Sequence, residues 1–532
     1  MTTVREAAFS LLRERSMTTI FGNPGSTELP MLTEFPDDFR YILGLQEASV
    51  VGLADGYAQA SGSPTLVNLH TAPGVGNAMG AIFNAQANKS PLVITAGQQY
   101  RSLMTLQANL TNRDATRMVH PLVKWSYEPP RAEDVPHALA RAIHAAALPP
   151  RGPSFLSIPM DDWGAEVDEG AVHHQSTRTV AGAAQPGPET IAELAERLSR
   201  AERPALVAGP DIDASGGWEA AIALAERQRL AVYATPAPGG GRIGFPENHP
   251  LFQGVLAPAV LPVGEMLAAH DFVLVVGTSV FPYYPNIPGP LLAEGTELVA
   301  ITSDPDEAAR APMGDALVAD PALTLAALAR TVGQSERTPP PPRPVPEPVP
   351  VTDPMSPSTA VRALAEVFPQ DGVVVLESPS ATVALRNQLR LSTPGSYYFS
   401  SGGGLGFGMP AAIGVQLAQP SRPVVCVIGE GSAQYAIQSL WTAAAYNIPV
   451  TFLVLRNDEY AILKWFGMLE DIVDAPGLDL PALDCAAVAS GYGVGSRVVS
   501  SVEELGEGLG KAIASGKPEL VEVRVSPGMA LT

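Results

Sequence analysis

Two groups of polar residues stand where apolar runs end, and their types define a chemistry. The run Val424–Ile428 ends in Gly429-Glu430-Gly431-Ser432, just before a helical pattern. Glycine turns between strand and helix expose backbone N–H groups and the positive helix end to an anion. An acid lodged between the glycines is compatible with a bound phosphate when a cation lies between them. The next run, Val450–Leu455, ends in Arg456-Asn457-Asp458-Glu459-Tyr460. Neighbouring parallel strands would bring Glu430 and Asn457 to one sheet edge. Their carboxylate and amide oxygens are hard ligands suited to Mg²⁺, with phosphate oxygens completing an octahedron. The second group is Ser26 in Gly22-Asn23-Pro24-Gly25-Ser26, Glu47 after the run Tyr41–Leu45, and His70 at the end of Leu66–Leu69. Taken singly, each has a plain alternative. A G-x-G after a strand is often an ordinary turn. An acid in a first helical turn complements the dipole, and a single histidine is commonly a hydrogen-bonded core residue. Joint placement at strand ends is what argues for sites.

Positioning these residues requires alternating strands and helices, and the chain has that pattern throughout. In its first part Thr18–Phe21, Tyr41–Leu45, Leu66–His70 and Leu92–Ala96 read as strands, with helices over 3–15, 46–60 and 74–87. Val4, Ala7, Ala8, Leu11 and Leu12 form the stripe of an amphipathic helix. The middle part has strands at Ala205–Ala208, Phe272–Gly277 and Leu298–Ile301, and helices near 217–229 and 321–332. The last part has strands at Val373–Leu376, Val424–Ile428, Val450–Leu455 and Leu520–Val525, and helices near 357–367, 433–446 and 502–515. The alternation predicts an α/β protein with three doubly wound parallel-sheet domains. Ligands in such sheets bind beyond the carboxyl ends of the strands. A Pro-rich linker spans 336–355, and a softer boundary falls near 166–188, giving domains over 1–180, 181–335 and 356–532. With 33 Lys+Arg against 54 Asp+Glu the net charge is −21, which disfavours nucleic acid and anionic membranes as partners. No apolar run approaches a membrane span and no signal-like segment opens the chain, so a cytoplasmic location is expected. Two cysteines, Cys426 and Cys485, exclude a disulfide framework.

The stretches FGNPGSTELPMLTEFPDDFRYILGLQEASVVGLADGYAQASG, NLHTAPGVGNAMGAIFNA, PLVKWSYEP, RAPMGDA, PGSYYFSSGGGLGFGMPAAIGVQLA and LWTAAAYNIP carry a resemblance. Through them the whole chain resembles the thiamine-diphosphate-dependent 2-oxo acid decarboxylases and carboligases, and among these it is similar to the benzoylformate decarboxylases. The resemblance implies pyrimidine-binding, central and diphosphate-binding domains in that order. Glu47 would hydrogen-bond N1′ of the aminopyrimidine and so activate the thiazolium carbon. Leu405, beside Gly404, would hold the cofactor bent. Ser26 would hold the substrate carboxylate, and His70 would transfer protons. Gly429, Gly431, Ser432 and Tyr460 would surround the diphosphate. Glu430, Asn457 and the main-chain carbonyl of Glu459 would hold the metal. Each site would be shared between subunits, implying a homodimer at least and a homotetramer by family habit. The middle domain's Pro238-Gly239-Gly240-Gly241 lacks G-x-G-x-x-G spacing, so no FAD or NAD is expected there.

Four positions depart from the family pattern. Glu430 stands where Asp is usual, reaching one methylene further and making room for Ca²⁺ as well as Mg²⁺. Arg456-Asn457 replaces Asn-Asn and keeps the ligand. Tyr284, in Phe281-Pro282-Tyr283-Tyr284, stands where a second histidine is expected, and a phenol with its pKa near ~10 is a poorer proton shuttle. Ile462 replaces a small residue and, with Phe466, would narrow the substrate pocket. The expected reaction is non-oxidative decarboxylation of a benzoylformate-like or smaller 2-oxo acid to an aldehyde and CO₂. The alternatives are carboligation to 2-hydroxy ketones and a non-catalytic paralogue with an altered metal loop.

Overall fold

A computed structural model describes residues 2–236, 241–281, 283–344, 350–472 and 474–530. Three six-stranded sheets follow one another along the chain, and every strand pairing within them is parallel. The strands are short Val-, Ile- and Leu-rich runs buried along nearly their whole length, as Thr65–Leu69 and Phe272–Val276 illustrate. Burial on both faces follows from helices covering each side of a parallel sheet.

The first sheet runs Arg40–Leu43, Thr19–Asn23, Thr65–Leu69, Leu92–Gln98, Ser154–Pro159, Trp125–Tyr127. The last runs Tyr397–Phe399, Val373–Glu377, Val424–Gly429, Val450–Arg456, Glu519–Arg524, Gly495–Val499. Numbered along the chain, both have the order 2-1-3-4-6-5. The middle sheet, Phe252–Val255, Ala231–Ala234, Pro204–Ala208, Phe272–Val276, Glu297–Thr302, Asp315–Val318, has the order 3-2-1-4-5-6. The outer domains are thus a structural repeat without sequence periodicity. The strands expected from the sequence are present with shifted ends. One expected helix is not: 433–446 divides into Glu430–Ala433 and Ser439–Ala445 around a turn. Of the Pro-rich linker, 345–349 lie outside the described residues, as do Pro238, Gly239, Gly240 and Pro282.

The repeat matters because its equivalent helices touch. Glu47–Ser61 follows the second strand of the first domain, and Gly408–Ala418 follows the second strand of the last. They cross through glycines. A Cβ on Gly414 would lie 2.0 Å from the Leu53 carbonyl oxygen, and one on Gly56 would lie 2.2 Å from that of Ala411. Polar ties flank the crossing. Asn84 exchanges two hydrogen bonds with the Gly404 backbone, Asn88 accepts from the Ser401 N–H, and Gln438 donates to Ser49. Asp55, fully buried in the first helix, accepts from Gln59, Asn88 and Ser90, and burial lifts it to about 6 against those donors. No helix among the described residues is long and apolar enough to cross a membrane.

Gly414→Ala sets a methyl against backbone that cannot turn aside, so it is expected to cost about 1–3 kcal/mol or more. Gly510, inside the helix Val502–Ala514, has open space for at least 4 Å around the point where a methyl would stand, so Gly510→Ala should instead stabilise by about 0.5–1 kcal/mol. Urea unfolding of both variants checks the contrast.

Candidate active site

The carboxyl end of the first sheet gathers Ser26, Glu47 and His70. Strands Thr19–Asn23 and Thr65–Leu69 are neighbours at the point where strand order reverses, the position at which sheets of this kind bind ligands. The loop after the first carries Ser26, which is exposed, and the loop after the second carries His70. Glu47 opens its helix behind Gln46, whose side chain caps the Ala48 and Ser49 N–H groups. The Glu47 carboxylate is 8% exposed and accepts from the amides of Asn23 at 3.2 Å and Asn77 at 3.0 Å. Neutral donors orient it, and among the described residues no cation pairs with it. His70 meets Glu28, a residue not singled out from the sequence. Its Nδ1 lies 2.9 Å from Glu28 Oε2 and 3.1 Å from Thr27 Oγ1. Glu28 stands three residues after Gly25 and accepts that residue's N–H, a spacing the sequence does display.

The carboxyl end of the last sheet gathers Glu430, Asn457 and Glu459. Gly429 and Leu455 are in register on adjacent strands, which brings the two loops together. Buried Glu430 accepts from the Asn457 N–H at 3.2 Å, and the Asn457 amide oxygen accepts from the Glu459 N–H at 3.2 Å. Burial raises the Glu430 carboxyl above its usual range, with backbone donors opposing. A Cβ on Gly431 would meet the Tyr460 ring at 2.6 Å, so only glycine lets the loop pass beneath Tyr460. Arg456 takes no part in the oxygen set. It pairs with Asp458 at 2.8 Å and Glu522 at 3.3 Å, bracing Asp458 in a left-handed turn. The Glu459 carboxylate faces away, accepting from Lys464 at 2.5 Å and the Gly528 N–H at 2.9 Å. Leu405 sits in a loop that Glu377 anchors. Glu377 is fully buried and accepts from the N–H groups of Gly406, Phe407 and Gly408. Tyr284, 59% exposed, lies with its ring 4.7 Å from that of Phe466, on the helix that also carries Ile462.

The donor sets fit the expected groups. A carboxylate, an amide oxygen and a main-chain carbonyl suit Mg²⁺ or Ca²⁺. Among the described residues no three His, Cys, Asp or Glu side chains converge on a metal position, so ligands from outside this set would complete the shell. The glycine-bounded loop over Tyr460 suits a diphosphate, and Glu47 with its neutral neighbours suits a ring nitrogen that donates to it. No hydrogen bond or ion pair among the described residues joins the Ser26–Glu47–His70 group to the Glu430–Asn457–Glu459 group. A cavity of about 1010 Å³ lies elsewhere, between the first and middle domains. There Lys89 is paired with Asp211 and Glu307, and Arg242 with Asp213.

Three family models match successive segments of the chain. Residues 2–118 match the N-terminal TPP-binding domain of thiamine pyrophosphate enzymes, 191–328 the central domain and 380–523 the C-terminal TPP-binding domain. The chain belongs to the thiamine pyrophosphate enzyme family. It is 50% identical over 98% of its length to a benzoylformate decarboxylase of Pseudomonas aeruginosa, covering 99% of that protein. A solved 4-hydroxybenzoylformate decarboxylase of Rhodococcus jostii RHA1 superposes with a TM-score of 0.97 at 45% identity, over 100% of both chains. The benzoylformate decarboxylase of Polynucleobacter necessarius gives 0.97 at 40%, again over 100% of both. The chain is a thiamine-diphosphate-dependent 2-oxo acid decarboxylase, a carboxy-lyase.

Glu377 supplies a pH-dependent test. Burial lifts its carboxyl from the usual 4.5 to about 7, while three N–H donors pull it down. The folded value lies above the ordinary one, so folding takes up a proton between them. This contribution is complete below 4.5 and is lost as pH rises through about 7. The gap in unfolding midpoint between the wild type and Glu377→Gln should therefore widen as pH falls from about 8 to about 5. A gap that stays constant from about pH 8 to about pH 5 would show Glu377 ionised throughout that range.

Proposed function

We propose that this chain decarboxylates a 2-oxo acid of the benzoylformate type, releasing an aldehyde and CO₂, with a pocket narrowed toward smaller side chains. The observation that carries the reading is the pair of topologically equivalent sheet ends, one holding Ser26, Glu47 and His70, the other Glu430, Asn457 and Glu459. Bound thiamine diphosphate supplies the electron sink for loss of CO₂. Ser26, exposed beyond the strand ends, hydrogen-bonds the substrate carboxylate. Glu47 accepts from the pyrimidine ring while Asn23 and Asn77 hold its carboxylate still. His70 gives and takes protons at the reacting carbon's oxygen. Glu430, the Asn457 amide oxygen and the Glu459 carbonyl would hold a divalent cation, Gly429, Gly431, Ser432 and Tyr460 would surround the diphosphate, and Leu405, on the loop that Glu377 anchors, would support the rings. Ile462, Phe466 and Tyr284 wall the substrate pocket. Benzoylformate is the aromatic substrate named for the relatives, and Ile462 is the residue that narrows the space for it. Ile462→Ala should raise kcat/KM for benzoylformate relative to a short aliphatic 2-oxo acid by about tenfold or more. An unchanged ratio would remove Ile462 from the pocket.

A second copy of the chain completes each site. Apolar side chains are exposed around both halves: Leu29 and Leu45 beside Ser26 and Glu47, and Tyr435, Leu463 and Met468 beside Glu430 and Tyr460. Glu47→Gln and Glu430→Ala homo-oligomers should each be nearly inactive. Mixed subunits place an intact Glu47 against an intact Glu430 in one of the two sites of a heterodimer. Activity should then return to about a quarter of wild type. No return would place both halves of the site in one chain.

One observation favours carboligation as a second outcome. His70 is the one imidazole of either half-site among the described residues, so a bound intermediate awaiting a proton has few donors. Accumulation of 2-hydroxy ketone with an added aldehyde, at a rate matching aldehyde release, would establish it.

A further inference from the structure

We propose that Glu28 is a positioning residue that fixes the tautomer and the plane of His70. The inference rests on the proton-transfer role given to His70 above. Glu28 is 1% exposed, and its carboxylate sits inside a shell of donors. Oε2 accepts from the Gly25 N–H at 2.8 Å and faces His70 Nδ1 at 2.9 Å. Oε1 accepts from the Gly97 N–H at 2.8 Å and the Thr27 hydroxyl at 2.7 Å. A carboxylate held this way has no proton to give, so the ring nitrogen facing it must be the one that carries N–H. Thr27 points the same way. Its hydroxyl hydrogen goes to Glu28, so toward Nδ1, 3.1 Å away, it presents only a lone pair. Two acceptors thus face Nδ1, and neutral His70 is left with a bare Nε2.

The ring is also confined in space. A Cβ on Gly25 would lie 2.2 Å from His70 Nδ1 and 2.4 Å from Cε1, so the imidazole lies flat against that glycine. On the opposite side of Glu28, a Cβ on Gly97 would lie 2.1 Å from Oε1. Glycine is required at both ends of the relay because carboxylate and ring fill the space a methyl would take. Two charged groups face the imidazole: Glu28, and Glu47, whose Oε1 and the His70 Cβ both adjoin Gly74. Of these two, only Glu28 hydrogen-bonds a ring nitrogen among the described residues. The result is an imidazole whose Nε2 can take a proton from a bound species and return it, while buried Glu28 balances the transient cation. A wrong tautomer would present N–H at Nε2 and could accept nothing.

The test combines a tautomer readout with kinetics. Long-range ¹H–¹⁵N spectra of ¹⁵N-histidine-labelled protein, with the His70 signals assigned by their loss in His70→Ala, report which nitrogen is protonated. Wild type should show protonated Nδ1 and bare Nε2. Glu28→Gln offers an amide N–H to the ring and should invert or mix the tautomers, lowering kcat by about 10²–10⁴-fold with KM changed less than about threefold. Glu28→Asp should keep the tautomer and recover at least about tenfold in kcat. In the His70→Ala background, adding Glu28→Gln should change kcat less than about threefold. If Glu28→Gln does not fold, Gly97→Ala displaces the same carboxylate without removing it and should give the same tautomer change. Protonated Nε2 in the wild type, an unaltered tautomer in folded Glu28→Gln, or an equal cost of Glu28→Gln with and without His70 would each overturn the proposal. A wild-type chain inert toward every 2-oxo acid would defeat the decarboxylase reading, while the tautomer would still decide the role of Glu28.

Discussion

The close crossing of Glu47–Ser61 over Gly408–Ala418 is the constraint on which the rest of the molecule depends. Gly56 and Gly414 bring each helix onto the other's carbonyl oxygens, and Gly52 packs on Pro410. These helices hold equivalent positions in two domains of identical strand order, so their contact also sets how those domains face each other. Each helix begins at functional residues. Glu47 is the first residue of one, and the Leu405 loop leads directly into the other. A shift of the crossing would therefore move Glu47 and the Leu405 loop together. The polar ties around it, Asn84 to Gly404 and the Asp55–Asn88–Ser401 chain, extend that rigidity to the glycine-rich loop.

Around the site, buried acids are held mainly by neutral donors. Glu47 rests on two asparagine amides, Glu377 on three backbone N–H groups, and Glu430 on the backbone of the neighbouring loop. Hydrogen bonds of this kind orient a carboxylate without cancelling its charge. At Glu47 no cation among the described residues cancels that charge. Ion pairs are present nearby but stand one layer back. Arg456 braces Asp458 and Glu522, and Lys464 bridges Glu459 and Asp479. The arginine that replaces the usual asparagine thus shapes the turn behind Asn457 rather than intruding on the oxygen set.

The middle and last domains touch near Ala461–Leu469, the helix that carries Ile462 and Phe466. The Tyr284 ring packs on that of Phe466, so the middle domain meets the last one there. The cavity between the middle and first domains lies elsewhere and is lined by paired charges.

Much of this was legible in residue order. Short apolar runs ending in glycine and polar residues located the strands, and alternation with helical stripes implied parallel sheets. Since side chains at the ends of adjacent parallel strands must meet at one edge, the pairing of Glu430 with Asn457 followed from the pattern, as did the placement of Ser26, Glu47 and His70. The expected single helix over 433–446 missed the turn at 434–438, because its apolar spacing persists through the break. Glu28 and Glu377 were not legible as site residues. Each is one acid among many in the chain, and its role depends on backbone donors at Gly97 or at 406–408, far along the sequence. The shared strand order of the outer domains was equally hidden, since topology leaves no periodic trace. Local pattern sets which segments become strands and where they end. Which N–H groups a buried carboxylate meets is settled only when distant segments close around it.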